Sequence, residues 1–166
     1  PLAPQASAAP LVCHATTEDI EGPFFKAGAP TRTALGSSGP PLVLEGRLLG
    51  PDCRPLRGSS LEVWHADARG DYDNVGFGFR ARVPVDESGA FRIDTVVPGR
   101  YLNGRVYRPS HVHLKLHAPG ARSLTTQLYF EGDPFNEVDP FVHASRIAPV
   151  ERRSSGWRVV RDFVLA

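Results

Sequence analysis

The first residues to suggest chemistry are a His-x-His pair, His111-Val112-His113. In the run from Ser110 to His117, Val112, Leu114 and Leu116 alternate with His111, His113, Lys115 and His117. Strand side chains point to alternate faces, so this alternation sets both imidazoles on one face while the valine and leucines pack inward. Imidazoles side by side can chelate a metal ion, although a strand with a merely solvent-facing histidine pair reads the same way. Arg108-Pro109 marks the strand's beginning, because proline donates nothing to a sheet ladder. Two of the four tyrosines sit in turn-rich surroundings: Tyr72 within Ala68-Arg69-Gly70-Asp71-Tyr72-Asp73, and Tyr101 just after Pro98-Gly99-Arg100. Phenols added to imidazoles make an oxygen-rich, anionic donor set that suits a hard trivalent ion; zinc or copper would draw more imidazole or thiolate. A free phenol titrates near pH ~10, so two phenolates at neutral pH require a strong positive charge beside them. Ferric iron would supply it.

Residues so distant in sequence need a scaffold to bring them together. Beyond residue 40 the chain repeats one texture, short β-rich runs separated by Gly/Pro/Asp turns. Strands are expected over Leu42 to Leu49, Ser60 to Asp67, Ala90 to Asp94, Ser110 to His117, Leu124 to Phe130 and Trp157 to Leu165, with turns at Gly50-Pro51-Asp52, Glu87-Ser88-Gly89, Pro98-Gly99 and Pro119-Gly120. No helical stripe of useful length appears, so the reading is an all-β sandwich. The stretch from Asp67 to Gly89 is too long for a hairpin turn and is expected to be a functional or a disordered loop.

Composition sets the outer limits. The 166 residues fit one domain, read as 13–166, behind an Ala/Pro-rich, uncharged leader at 1–12 that is expected to be disordered. Nineteen basic against 18 acidic residues give a formal charge of +1, which offers no electrostatic reason to expect nucleic acid or a membrane surface as partner. No apolar run approaches the ~18–20 residues of a membrane helix. The two cysteines, Cys13 and Cys53, are expected to pair, which would place the protein outside the cytoplasm, secreted or otherwise extracytoplasmic.

Several spaced motifs then carry a family resemblance. Glu45-Gly46-Arg47-Leu48, Leu61-Glu62-Val63-Trp64 and Ser88-Gly89-Ala90-Phe91 are similar to the small prealbumin-like sandwiches that serve as spacers or binding modules. Glu62-Val63-Trp64-His65-Ala66 ahead of Gly70-Asp71-Tyr72, then Pro98-Gly99-Arg100-Tyr101, Arg108-Pro109-Ser110-His111-Val112-His113 and Leu124 to Pro134 resemble, in order, the core of the intradiol ring-cleavage dioxygenases. Upstream, Glu21-Gly22-Pro23-Phe24-Phe25 resembles the segment these enzymes lay across the site. The resemblance covers roughly residues 15 to 165. It implies a prealbumin-like antiparallel β-sandwich with long active-site loops, and cleavage of a catechol-type aromatic by O2 between its hydroxyls to a cis,cis-muconate-type product.

By position, the resemblance assigns Tyr72, Tyr101, His111 and His113 as ligands of non-haem Fe(III), with Tyr72 the phenolate that stays and Tyr101 the one that leaves when substrate binds. Arg108 matches the cation beside developing substrate charge, and Gln127 an amide near the substrate ring. The segment between Tyr101 and His111 is shorter than in the family, so Tyr107 competes for the leaving role; Tyr101 is preferred because it follows the Pro-Gly turn. Tyr107 and Tyr129 otherwise read as packing or pocket residues, His65 as structural, and His14, His117 and His143 as surface or packing groups. Pocket walls are expected from Ile20 to Phe25, Val75 to Phe79 and Arg100 to Tyr107. The long helical N-terminal segment of catechol-type dimers is lacking, which points to a monomer or weak homo-oligomer.

Two other readings compete. A copper/zinc superoxide dismutase-like sandwich also pairs His-Val-His with a disulfide, but needs further histidines and an aspartate spaced for two metals. A non-enzymatic prealbumin-like binding module would leave Tyr72, Tyr101, Arg108 and Gln127 unexplained.

Overall fold

The computed structural model describes residues 12–166; the leader expected at 1–12 lies outside the described residues except for Val12. Twelve strands follow one another: β1 (Pro41–Leu49), β2 (Ser60–Trp64), β3 (Arg80–Pro84), β4 (Ala90–Val96), β5 (Tyr101–Asn103), β6 (Val106–Arg108), β7 (His111–His117), β8 (Leu124–Phe130), β9 (Ile147–Ala148), β10 (Glu151–Arg153), β11 (Gly156–Val160) and β12 (Phe163–Val164). The helical segments are two 3-10 turns, Pro134–Glu137 and Ala144–Arg146. One sheet runs β10-β11-β1-β12, with β4 also on β1; the other runs β3-β2-β7-β8-β9; β5 and β6 form a separate hairpin. The main ladders are antiparallel, and parallel pairs are added where β11 and β12 join β1 and where β9 joins β8.

The core lies between the two sheets. Leu42, Leu44 and Leu48 of β1 with Phe91 and Ile93 of β4 meet Leu61 and Val63 of β2, Val112, Leu114 and Leu116 of β7, and Leu128 and Phe130 of β8. These are the inward members of alternating runs, and their burial supplies the main drive for folding. The other face of the second sheet carries the complementary residues. Across its ladders Arg80 pairs with Trp64, Trp64 with His113, His113 with Gln127, and His111 with Tyr129. Directly opposed residues share a face, so register alone gathers these six side chains into two adjoining rows.

The elements differ from expectation in several places, among them the short strands β9 and β10, which were not expected. The long segment from Asp67 to Gly89 contains β3, whose alternation was obscured because its outward residues are Arg80 and Arg82. Tyr101 and Arg108 lie in a hairpin too short to show periodicity. The expected strand Trp157 to Leu165 breaks at Arg161-Asp162, where the chain crosses Gly46 so closely that a Cβ there would lie 1.9 Å from the Arg161 carbonyl oxygen. The expected strand Ser60 to Asp67 ends at Trp64.

Segment 13–25 crosses the second sheet's outer face. Its beginning is fixed by the Cys13–Cys53 disulfide, and the Asp19 N–H donates to the Thr125 carbonyl at 2.9 Å.

Candidate active site

Under that segment the polar face is buried: His111 and His113 are 2% and 1% exposed, Gln127 1%, Tyr129 0% and Arg108 5%. Two loops deliver the tyrosines. Gly70 and Gly99 cross so closely that a Cβ on Gly99 would stand 2.3 Å from the Gly70 nitrogen, and one on Gly70 the same distance from the Arg100 carbonyl oxygen. Only glycine permits that crossing, which the Gly99 N–H fastens by donating to the Asp67 carbonyl at 2.7 Å. Tyr72 lies two residues beyond one glycine and Tyr101 two beyond the other, and their rings end 5.6 Å apart.

The four expected ligand residues come together. The Tyr101 hydroxyl lies 3.3 Å from His111 Nε2. Ring centroids stand 5.0 Å apart for His111 and His113, 5.5 Å for Tyr101 and His111, and 6.4 Å for Tyr72 and His113. His111 Nδ1 faces the Pro109 carbonyl at 2.7 Å, which holds the ring proton there and leaves the Nε2 lone pair directed at the site. Trp64 stacks on His113, and Phe24 stacks on Tyr72 with centroids 4.1 Å apart. Tyr107 is placed elsewhere: in the β5–β6 hairpin Tyr101 opposes Arg108 and Leu102 opposes Tyr107, so Tyr107 takes the other face, half exposed, and packs on Phe135.

Arg108 organises the floor. Its Nε donates to Asp139 Oδ2 at 2.7 Å, and Nη2 donates to Gln127 Oε1 at 3.1 Å and to the Tyr129 hydroxyl at 3.0 Å. Nη1 reaches Tyr101 Oη and His111 Nε2, both at 3.4 Å. Gln127 Nε2 donates to the Ile20 carbonyl at 3.1 Å, and Tyr129 Oη to Asp19, which pairs with Arg146. Sequence reasoning missed Asp19 and Asp139, which belong to no motif, and Arg80, which reads as an ordinary strand cation. Tyr129, expected as packing or pocket, stands inside the Arg108 network.

Burial dominates the electrostatics. It pushes the His111 imidazole down to about 3, with the Arg108 charge adding to the effect, and carries His113 well below its ordinary value. Both rings are therefore neutral and present lone pairs. Burial, then the neighbouring Tyr101, raises the Tyr72 phenol far above its usual range, while Arg108 and Arg80 pull the other way. Burial also opposes charge on Arg108, but the Asp139 carboxylate and the nearby phenols outweigh it and hold the guanidinium ionised.

Three polar atoms here are buried without hydrogen-bond partners: Tyr72 Oη, His113 Nδ1 and His113 Nε2. Such atoms are costly unless something binds them. Neutral imidazoles with free lone pairs beside two phenols are the donor set that a hard trivalent cation takes, so these residues fit one ferric ion. The dismutase pattern finds no counterpart. Among the described residues no three of His, Cys, Asp and Glu are grouped to hold a metal. His65 bonds Thr95 and Ala66, and His117 bonds Glu62 and Ser123.

A cavity of about 260 Å³ opens onto the cluster, lined by Ile20, Gly22, Pro23, Phe24 and Phe141 together with Tyr101, Leu102, Asn103, Arg108 and His113. Two of the expected walls are present. Val75 to Phe79 is not a wall: the Asp73 carboxylate accepts from Val75, Gly76 and Gly78 N–H groups and curls that loop on itself, leaving Val75 93% exposed.

Fold and site together define a β-sandwich protein with a phenol- and imidazole-lined cavity on one sheet face. Comparison with known proteins bears out the fold and gives the family. A family model described as Dioxygenase matches residues 20–161. The dioxygenase domain of a dioxygenase–carbohydrate-binding protein fusion from Streptomyces sp. SirexAA-E superposes with a TM-score of 0.86 at 40% identity, covering 92% of this chain and 98% of that one. The 3-chlorocatechol 1,2-dioxygenase of Rhodococcus opacus gives a TM-score of 0.84 at 27% identity, covering 90% and 72%. A catechol 1,2-dioxygenase of Acinetobacter baylyi is 34% identical over 80% of this chain and 51% of its own length. This chain belongs to the intradiol ring-cleavage dioxygenase family. It spans 51% to 60% of the length of three Acinetobacter catechol 1,2-dioxygenases that it matches.

Proposed function

We propose that this protein uses non-haem Fe(III) and O2 to cleave a catechol-type aromatic between its two hydroxyls, giving a cis,cis-muconate-type product. The observation that carries the proposal is the convergence of Tyr72, Tyr101, His111 and His113, with the buried polar atoms of Tyr72 and His113 unpartnered, at the mouth of a ring-sized cavity. These four residues would hold the iron. A ferric ion there would keep the phenols ionised and draw electron density from a chelated catecholate, priming the ring for dioxygen. Overall, the bond between the two hydroxyl-bearing carbons breaks and both oxygen atoms of O2 enter the product, so no further reductant is needed.

The remaining work falls to the chain itself. Tyr101 Oη, at the cavity wall, would take one of the two catechol protons as it yields its place. Arg108, kept ionised by Asp139, presents Nη1 toward the same point and stabilises negative charge built up on the substrate. Gln127, held by Arg108 and the Ile20 carbonyl, fixes the guanidinium's direction. Ile20, Pro23 and Phe24 cover the ring and exclude water. The Cys13–Cys53 bond supports an extracytoplasmic, secreted setting. Oxygen uptake across a panel of catechols, with products identified, tests the proposal: ring opening between the hydroxyls is expected, and opening beside them, or no uptake by iron-loaded protein, overturns it.

A further inference from the structure

Two buried guanidinium groups flank the site, and only one has a counter-ion. Arg108 is paired with Asp139. Arg80, 2% exposed, makes no ion pair among the described residues. Its Nε donates to the Asp73 carbonyl at 3.0 Å and its Nη1 to the Phe24 carbonyl, and its guanidinium carbon lies 5.8 Å from the centre of the Tyr72 ring. The carboxylate of Asp73, whose backbone carbonyl accepts from Arg80, is spent on the three N–H groups of its loop and makes no ion pair with Arg80.

A buried cation without a counter-charge is costly, and carbonyl dipoles offset only part of that cost. The group that would bring negative charge beside Arg80 is Tyr72, whose ring centre lies 5.8 Å from the guanidinium carbon and whose oxygen would be a phenolate with iron bound. We infer that Arg80 is a positioning residue whose uncompensated charge holds Tyr72 as the permanent phenolate ligand, while it pins Phe24 against the same ring. The inference rests on the iron-binding reading above. It also accounts for the unequal roles of the two tyrosines: Tyr72 lies against a cation with no other partner, whereas Tyr101 meets Arg108, whose charge is already matched by Asp139.

The test compares Arg80→Gln, Arg80→Met and Arg80→Lys in full-length, iron-loaded protein. The readouts are the rate of iron loss to a chelator, the wavelength of the tyrosinate-to-iron absorption, and the melting temperature of the iron-free form. The neutral variants are expected to lose iron roughly 10–100-fold faster with a shifted absorption maximum. Arg80→Lys, which keeps charge but loses the planar fork, is expected to lose iron more slowly than either neutral variant, though faster than wild type. Folded Gln or Met variants that retain iron and colour like wild type overturn the inference. So does a Lys variant that loses iron as the neutral ones are expected to, since hydrogen bonding and not charge would then be the agent; this arm decides even if the neutral variants do not fold. Wild-type protein that takes up no iron would instead defeat the iron-binding reading itself.

Discussion

Replacing Asp139 with asparagine removes the counter-charge on which the site floor depends. Asp139 and Arg108 meet at 2.7 Å with side chains 2% and 6% exposed, so neither can turn to solvent. Asparagine keeps the shape and the oxygen that accepts from the Phe141 N–H at 2.8 Å, but sets an NH2 donor where Oδ2 accepted from Arg108 Nε, so the change removes the charge and that hydrogen bond together. Arg108 would be left with Gln127 and the Tyr129 hydroxyl, neither of them anionic. Breaking a buried pair by deleting one partner costs about 3–5 kcal/mol, because the survivor is a buried charge without compensation. Urea unfolding of iron-free wild type, Asp139→Asn, Arg108→Met and the double variant measures this as a cycle. Both single variants are expected to lose most of that amount, and the double variant at least ~2 kcal/mol less than their sum. A single-variant loss under ~1 kcal/mol with additive effects would refute the claim that this pair supports the floor.

Three further outcomes follow from other parts of the molecule. His65 is held neutral at about 4 by burial, so the unfolded chain takes up a proton below its ordinary 6.5 that the folded chain refuses. Its contribution is intact above pH ~6.5 and lost as pH falls toward ~4, about 3 kcal/mol at ~1.4 kcal/mol per unit; a His65→Asn variant whose stability falls as steeply as wild type by urea titration would contradict this. In Gly99→Ala the added Cβ meets backbone at 2.3 Å from Gly70 N and 2.7 Å from the Ala68 carbonyl oxygen, displacing Tyr101. A loss in kcat/KM of order 100-fold is expected, and wild-type kinetics would argue against the glycine crossing as the device that joins the tyrosines. Removing the Cys13–Cys53 bond, with its sequence separation of 40, should cost about 4 kcal/mol in the chain-entropy view, read as a lowered melting temperature in Cys13→Ser/Cys53→Ser.

What the sequence made legible was what periodicity and punctuation encode. The His111-to-His117 alternation foretold a strand with one apolar and one polar face, and Gly70, Gly99 and Pro98 marked the turns that carry Tyr72 and Tyr101. Tyr107 was open as a competitor because the segment between Tyr101 and His111 is shorter than in the family, and a three-residue strand has too few residues to show which face each takes; the hairpin register settles its direction. Asp19, Asp139 and Arg80 were invisible for another reason. Their roles come from burial and from partners far away in sequence, such as Arg108 and Asp139, and an isolated charged residue carries no local sign of either. The Val75-to-Phe79 wall failed similarly, since an apolar loop reads as a wall until the Asp73 carboxylate is seen to fold it outward.

The central claim is that phenol oxygens from two loops and imidazoles from one strand converge on a single ferric ion. Iron quantification together with the visible spectrum of protein produced with ample iron tests it most directly. About one iron per chain, with a tyrosinate charge-transfer band that weakens in Tyr72→Phe and in Tyr101→Phe but persists in Tyr107→Phe, is the result expected. Colourless, iron-free wild-type protein, or a band lost in Tyr107→Phe and kept in Tyr101→Phe, would contradict it.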